Sequence, residues 1–192
     1  MLTNGESWIN LTKQDLDDLE KPDITLLRKV LDSNASKVFM MLEFGYMPVR
    51  YVLNKKRLQF LHFILNESTD SMIRQVYNAL NEDSRKWDFI SLTSGDRIDL
   101  KIDLTDEEIS LISKYNWKKY VKEKVNIAAL DYLLNENESK VKTKQISYTS
   151  LKRRQYLLEN KNCSLSKIIF SIRSQTLDIK EWKPWIMKTI FV

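Results

Sequence analysis

The side chains in this sequence that are best suited to chemistry are basic, and they fall into three groups. The groups lie at 50–57, 118–124 and 140–154, and aromatic side chains stand among the last two. Cationic side chains neutralise phosphate groups, and exposed aromatic rings stack on unpaired bases. Tyr148 is the candidate stacking residue. The candidate phosphate contacts are Arg50, Lys55, Arg57, Lys118, Lys119, Lys122, Lys144, Lys152, Arg153, Arg154 and Arg173.

The net charge is concentrated in one part of the chain. The 192 residues contain 31 Lys and Arg against 26 Asp and Glu, which gives a net charge of +5. Residues 114–154 alone hold +7, whereas residues 1–113 hold −5. This asymmetry favours RNA or DNA binding by the C-terminal half, along a continuous cationic strip if the second and third basic groups pack side by side. A lysine-rich surface that contacts only water is the open alternative.

Residue types that would support catalysis are scarce. Three glycines cannot build a phosphate-binding loop, and one cysteine with one histidine, His62, argues against a zinc site. The densest acidic cluster, Asp15, Asp17 and Asp18, falls in the first turn of a predicted helix, where carboxylates favour the helix dipole. We therefore expect no catalytic residue, no metal and no cofactor. A hydrolase that uses this acidic cluster is the alternative.

Composition narrows the class of protein. A hydrophobic fraction of 43% is enough for a core of ordinary size, and 3 Gly with 3 Pro argue against a β-sandwich rich in tight turns. A single cysteine excludes an internal disulfide framework. No apolar run is long enough to span a bilayer, and residues 1–10 lack the basic start of a secretion signal. We expect an intracellular protein, nuclear or cytoplasmic, with no membrane partner.

The spacing of apolar residues predicts an all-α multi-helix bundle with at most one short strand pair near 96–104. Thr12 suits a helix start, Pro22 is expected to split that helix, and Gly45 suits a helix end. A capping box begins at Thr105. On the helix at 48–66, we expect Arg50, Asn54 and Arg57 on the outer face. The other helices are predicted at 36–44, 71–81, 116–135, 150–159 and 165–172, with an exposed loop at 136–147.

Two segments of the sequence are the most specific of several that can be compared with known families, residues 48–66, PVRYVLNKKRLQFLHFILN, and residues 173–178, RSQTLD. Through these segments the chain resembles the reverse transcriptase polyproteins of non-LTR (LINE-type) retrotransposons, especially the branch with a C-terminal restriction-like endonuclease. The resemblance follows the same order over almost the whole chain, at 5–32, 42–67, 71–80, 117–134, 146–157 and 165–180.

The resemblance implies the helical thumb and the linker that follow the polymerase palm, at 1–66 and 67–192. In that family the thumb grips the template–primer duplex, and the linker helps to bind element RNA or target DNA. The paired catalytic aspartates and the Cys/His knuckle of the family are missing from this sequence. We therefore expect a non-catalytic, nucleic-acid-binding fragment. The alternative is a helical protein-interaction module, or a retroelement relic with no retained activity.

Overall fold

The computed structural model describes residues 11–82, 88–139, 146–159 and 163–174. Over these ranges the chain forms helices and no strand, which confirms the predicted all-α class. The strand pair expected near 96–104 does not form in this part of the chain. The helices are α1 (Lys13–Leu31), α2 (Lys37–Phe44), α3 (Val49–Asn66), α4 (Met72–Glu82), α5 (Asp88–Asp99), α6 (Asp106–Leu111), α7 (Lys114–Glu138), α8 (Gln155–Glu159) and α9 (Cys163–Arg173).

The chain divides into two compact units, and both are discontinuous in sequence. Of the described residues, the first unit contains those up to Leu19 and those within Met47–Ala129. The second unit contains Glu20–Tyr46 and the described residues from Leu130 onward. The boundaries therefore fall inside α1 and α7, and the division between residues 66 and 67 stays a prediction.

Helix α3 is the centre of the first unit, where α4, α5 and α6 pack against it. Its buried side chains point in several directions, since Val49, Leu53, Leu58 and Leu61 are all buried. The side of α3 that stays open is instead the one that carries Lys55, Gln59 and Phe63. For this reason Asn54 and Arg57, which were expected on the outer face, are buried instead.

Helix α5 covers the first part of the region near 96–104. The helix continues through Gly95 to Asp99, and an irregular segment follows it. Leu100 and Ile102 are buried in that segment, which explains why the apolar residues alternate without forming a strand. The predicted capping box is confirmed, because Thr105 Oγ1 accepts the Glu108 N–H at 3.3 Å and the Glu108 carboxylate accepts the Thr105 N–H at 2.8 Å.

Helix α1 is continuous, so the break expected at Pro22 does not occur. Proline removes one backbone donor, the one that would bond the carbonyl of Asp18. Pro22 and Asp18 are both exposed, so water can satisfy that carbonyl. The predicted helix start is also seen, because Thr12 and Asp15 exchange hydrogen bonds at the N-terminus.

The second unit is built around α2, whose residues 39–42 are all fully buried. Burial of four consecutive residues means that neighbours surround this short helix. Phe39 packs against Phe170 of α9, with ring centroids 5.2 Å apart. Ser36 caps the start of α2, and Gly45, with φ of 62°, caps its end as predicted.

The long helix α7 runs from Lys114 to Glu138, three residues beyond the predicted end. Its buried side chains recur every fourth residue, which leaves the opposite face open. Half of the loop expected at 136–147, residues 140–145, lies outside the described residues, and the helix expected at 150–159 is confined to α8. In the part of the chain that is described, no helix is long and apolar enough to cross a lipid bilayer. The buried stripe of α7 is Trp117, Val121, Val125, Ala129 and Leu133.

Candidate nucleic-acid interface

The exposed side of α7 carries three of the predicted cations, Lys118, Lys119 and Lys122, which we call the lysine face. Lys118 and Lys122 are one turn apart, and Lys119 adjoins them. Trp117, on the opposite side, fixes this orientation because its indole N–H donates to the Leu58 carbonyl at 3.0 Å. The indole is also stacked on the His62 ring, with centroids 5.8 Å apart. Burial of this tryptophan therefore directs the lysines outward.

Within the described residues, the lysine face has no internal counter-charge. None of its three ammonium groups takes part in an ion pair or a hydrogen bond with that part of the chain. Lys124 differs, because its Nζ donates to the Lys101 carbonyl at 3.2 Å and lies 5.5 Å from the centre of the Tyr120 ring. The face thus holds three charges that no described side chain neutralises.

Tyr115 is a surface aromatic residue that the sequence reasoning missed. It is 76% exposed and stands three and four residues before Lys118 and Lys119, so it shares their side of α7. The signal was present in the sequence, because Tyr115 lies off the apolar stripe that contains Trp117. An exposed ring beside cations has the composition that single-stranded nucleic acids favour.

The first basic group does not form an open cationic surface. Arg57 is only 7% exposed, and its guanidinium bonds both carboxylate oxygens of Asp96, at 2.7 and 2.8 Å. Burial raises the pKa of Asp96, and hydrogen bonding to Arg57 acts against that rise. Arg50 is exposed but forms an ion pair with Asp99, and Lys55 is half-buried. We therefore leave Arg57 out of the interface.

Tyr148 cannot serve as an exposed stacking residue, because it is 5% exposed in the core of the second unit. Its hydroxyl donates to the fully buried carboxylate of Glu43 at 2.7 Å, and Tyr156 donates to the other oxygen at 2.6 Å. Arg173 donates to the same carboxylate from Nε and Nη2, at 3.0 and 2.8 Å. This cluster satisfies a buried charge and ties α2 to two later segments.

Burial also determines the protonation of this cluster. It raises the pKa of both Tyr148 and Tyr156, and the negative charge of Glu43 raises each pKa further. Both hydroxyls therefore remain neutral donors. Burial lowers the pKa of Arg173, whereas hydrogen bonding to Glu43 raises it, and the net result is a raised pKa. The positive charge of Arg173 is therefore engaged in the ion pair with Glu43.

The third basic group belongs to the second unit, whereas the lysine face belongs to the first, so each group is described by itself. Lys152 and Arg153 are exposed, and the Arg153 guanidinium lies 5.8 Å from the centre of the Phe44 ring. Arg154 is half-buried, with its guanidinium 4.4 Å from the centre of the Tyr148 ring. Lys144 lies outside the described residues. The continuous strip stays a prediction.

The acidic cluster at the start of α1 has a structural explanation. The Asp15 carboxylate accepts the N–H and the hydroxyl of Thr12, each at 2.7 Å, and these bonds lower its pKa. In the described part of the chain, no three His, Cys, Asp or Glu side chains are grouped so that they could hold a metal ion. Comparison with protein-family models, curated proteins and solved structures finds no match for this chain.

Proposed function

We propose that this protein binds nucleic acid, without catalysis, through the lysine face of α7. The observation that carries the proposal is the set of three exposed lysines without a partner among the described residues, beside the exposed ring of Tyr115. Lysine ammonium groups act as mobile point charges toward phosphate and release counterions when they bind it. Neutralisation by phosphate relieves the mutual repulsion of the three charges.

Each side chain has a distinct part in this proposal. Lys118 and Lys122 follow the phosphate backbone along one helical turn, and Lys119 widens the contact. Tyr115 stacks on a base or sugar, which is the role predicted for Tyr148 from the sequence. Lys152 and Arg153, which are exposed on the other unit, also contact phosphate.

The resemblance to the thumb and linker of a non-LTR reverse transcriptase agrees with a nucleic-acid ligand but stays a prediction. It is tested by reading the genomic sequence on both sides of the gene. Polymerase aspartates upstream and Cys/His ligands downstream would support that origin. Flanking genes of unrelated type would contradict it and leave the lysine face to be tested separately.

A helical protein-interaction module is the second candidate, and exposed apolar side chains favour it. Met72 and Val76 are exposed one turn apart on α4, and Leu26 and Val30 are exposed in the same way on α1. Paired apolar residues of this kind are typical of surfaces that bind another helix. Absence of nucleic-acid binding by the wild-type chain would favour this candidate.

The direct test compares two triple variants by fluorescence anisotropy with labelled RNA and DNA. The first variant combines Lys118→Gln, Lys119→Gln and Lys122→Gln. The matched control combines Lys13→Gln, Lys21→Gln and Lys29→Gln, which removes three exposed charges from α1. We expect the first variant to weaken binding about tenfold or more at low salt, and the control to bind like the wild type. Equal losses from the two variants would contradict a specific role for α7.

A further inference from the structure

An open cleft with a volume of about 460 Å³ lies next to the lysine face, in the first unit. The end of α3 and the connection from α6 to α7 line it, and Lys114 and Lys118 stand among the lining residues. Lys118 thus belongs both to the cleft and to the lysine face. The volume is within the range of pockets that hold small organic ligands, which is more than one nucleobase needs.

Two apolar side chains of the cleft remain open to solvent. Leu111 is 85% exposed and Phe63 is 45% exposed. Phe63 is held in place because it stacks on Phe60, with ring centroids 6.0 Å apart and planes 16° apart. A fixed, partly exposed aromatic ring is a suitable stacking surface, since little side-chain freedom is lost when a base packs on it.

The polar groups of the cleft are suited to a base rather than to a phosphate. The Asn66 amide N–H donates to the His62 carbonyl at 2.9 Å, an arrangement that orients the side chain. Gln59 and the carboxylate of Glu67 also line the cleft. A carboxylate repels phosphate but accepts hydrogen bonds from the amino groups of bases. The lining of the cleft therefore combines groups that can bind a base with the cations of Lys114 and Lys118.

We infer that the ligand of the lysine face is single-stranded nucleic acid, with one unpaired base seated in this cleft. The inference rests on the proposed function and specifies the ligand of the same surface. The backbone follows the lysines of α7, and the base leaves the strand near Lys118 to pack on Phe63 and Leu111. A fully paired duplex offers phosphates to the lysines but no free base to the cleft, so it binds less tightly.

The first measurement uses the wild-type chain and one labelled oligonucleotide of about twelve nucleotides, either single-stranded or annealed to its complement. We expect the single strand to bind about fivefold to a hundredfold more tightly, as the stacking of one base predicts. A single strand that carries the fluorescent base 2-aminopurine reports stacking directly. We expect its emission to fall when the wild-type chain binds.

The second measurement uses variants of the cleft. Phe63→Ala removes the stacking ring, and we expect it to weaken single-strand binding about fivefold or more while duplex binding is unchanged. Leu111→Ser changes a side chain that is almost fully exposed, so it leaves folding intact and gives a smaller loss of the same kind. The matched control is Ile98→Ser, because Ile98 is 78% exposed in the same unit and does not line the cleft.

The possible outcomes separate this inference from the proposed function. Equal binding of single strand and duplex, with no effect of Phe63→Ala and Leu111→Ser, would overturn the cleft as a base site. If the lysine variants still weakened binding in that case, the proposed function would stand alone. Absence of binding to either form of the oligonucleotide would overturn both. Unchanged 2-aminopurine emission on saturation would also contradict base stacking.

Discussion

Arg57 of α3 and Asp96 of α5 form a buried, two-pronged ion pair, with Nε 2.7 Å and Nη2 2.8 Å from the two carboxylate oxygens. Asn54 accepts a further hydrogen bond from the same guanidinium at 2.9 Å. The ion pair compensates the positive charge of Arg57, whose burial would otherwise be strongly unfavourable. Arg57 therefore holds two helices of the first unit together, and it does not present a cation to a ligand.

Asp96→Asn should destabilise the protein strongly, because it leaves the buried charge of Arg57 without a partner. We expect the free energy of unfolding to fall by about 3–5 kcal/mol, measured by urea denaturation. The double variant Arg57→Met with Asp96→Leu should recover most of that loss, since it removes both charges. The control is Arg50→Gln, which breaks an exposed pair with Asp99 and should cost less than about 1 kcal/mol. A double variant as unstable as Asp96→Asn would contradict this account.

Glu43→Ala should also destabilise the protein, since the fully buried carboxylate accepts hydrogen bonds from Tyr148, Tyr156 and Arg173. We expect a loss of about 3–5 kcal/mol in urea denaturation, because Arg173 loses its counter-charge. Tyr148→Phe removes one hydrogen bond and should cost about 1–3 kcal/mol. The control Tyr115→Phe changes an exposed ring and should lie within about 0.5 kcal/mol of the wild type. A Glu43→Ala protein as stable as the wild type would contradict the cluster.

The raised pKa values of Tyr148 and Tyr156 predict a loss of stability at alkaline pH. The stability that they contribute is fully present below about pH 10, where unfolded tyrosines are still protonated. It is lost as the pH rises further, because the unfolded state releases protons that the folded state retains. We expect the free energy of unfolding of the double variant Tyr148→Phe with Tyr156→Phe to fall less steeply with pH than that of the wild type. The difference in slope should be up to about 1.4 kcal/mol per pH unit for each tyrosine. Equal slopes in wild type and variant would show that these hydroxyls ionise freely in the folded state.

Gly45 should not tolerate a side chain. Its φ is 62°, and an added Cβ would lie 2.5 Å from the backbone of Lys152 and of Arg153. We expect Gly45→Ala to lower the free energy of unfolding by more than about 1 kcal/mol. Gly95→Ala is the matched control, because Gly95 lies inside α5 with no atom within 4 Å of an added Cβ, and it should stabilise by up to about 1 kcal/mol. Melting temperatures that shift in the same direction for both variants would contradict this contrast.

Local features of this fold were predictable from the sequence. The caps at Thr12, Gly45 and Thr105 depend on neighbouring residues only, and the structure confirms each of them. The stripe on α7 was predictable because one face of that helix is buried and the other contains lysines. The same spacing was enough to predict that Tyr115 is exposed, although the sequence analysis did not make that prediction.

Features that depend on distant segments were not predictable in the same way. Arg57 is buried because α5 supplies Asp96, and no local pattern reveals a partner 39 residues away. Tyr148 and Arg173 are committed to Glu43, which is more than 100 residues earlier in the chain. The sequence identifies the basic residues but does not show which of them the fold has already neutralised.

The most direct measurement of the central claim is the dependence of binding on salt for the wild type and the Lys118→Gln, Lys119→Gln and Lys122→Gln triple variant. Each phosphate contact contributes about 0.7–0.9 to the slope of log affinity against log salt concentration. We predict that the variant reduces the slope by about 2–3, whereas the Lys13→Gln, Lys21→Gln and Lys29→Gln control keeps the wild-type slope. A wild-type slope near zero, or the same slope for all three proteins, would contradict the binding of nucleic acid by the lysine face.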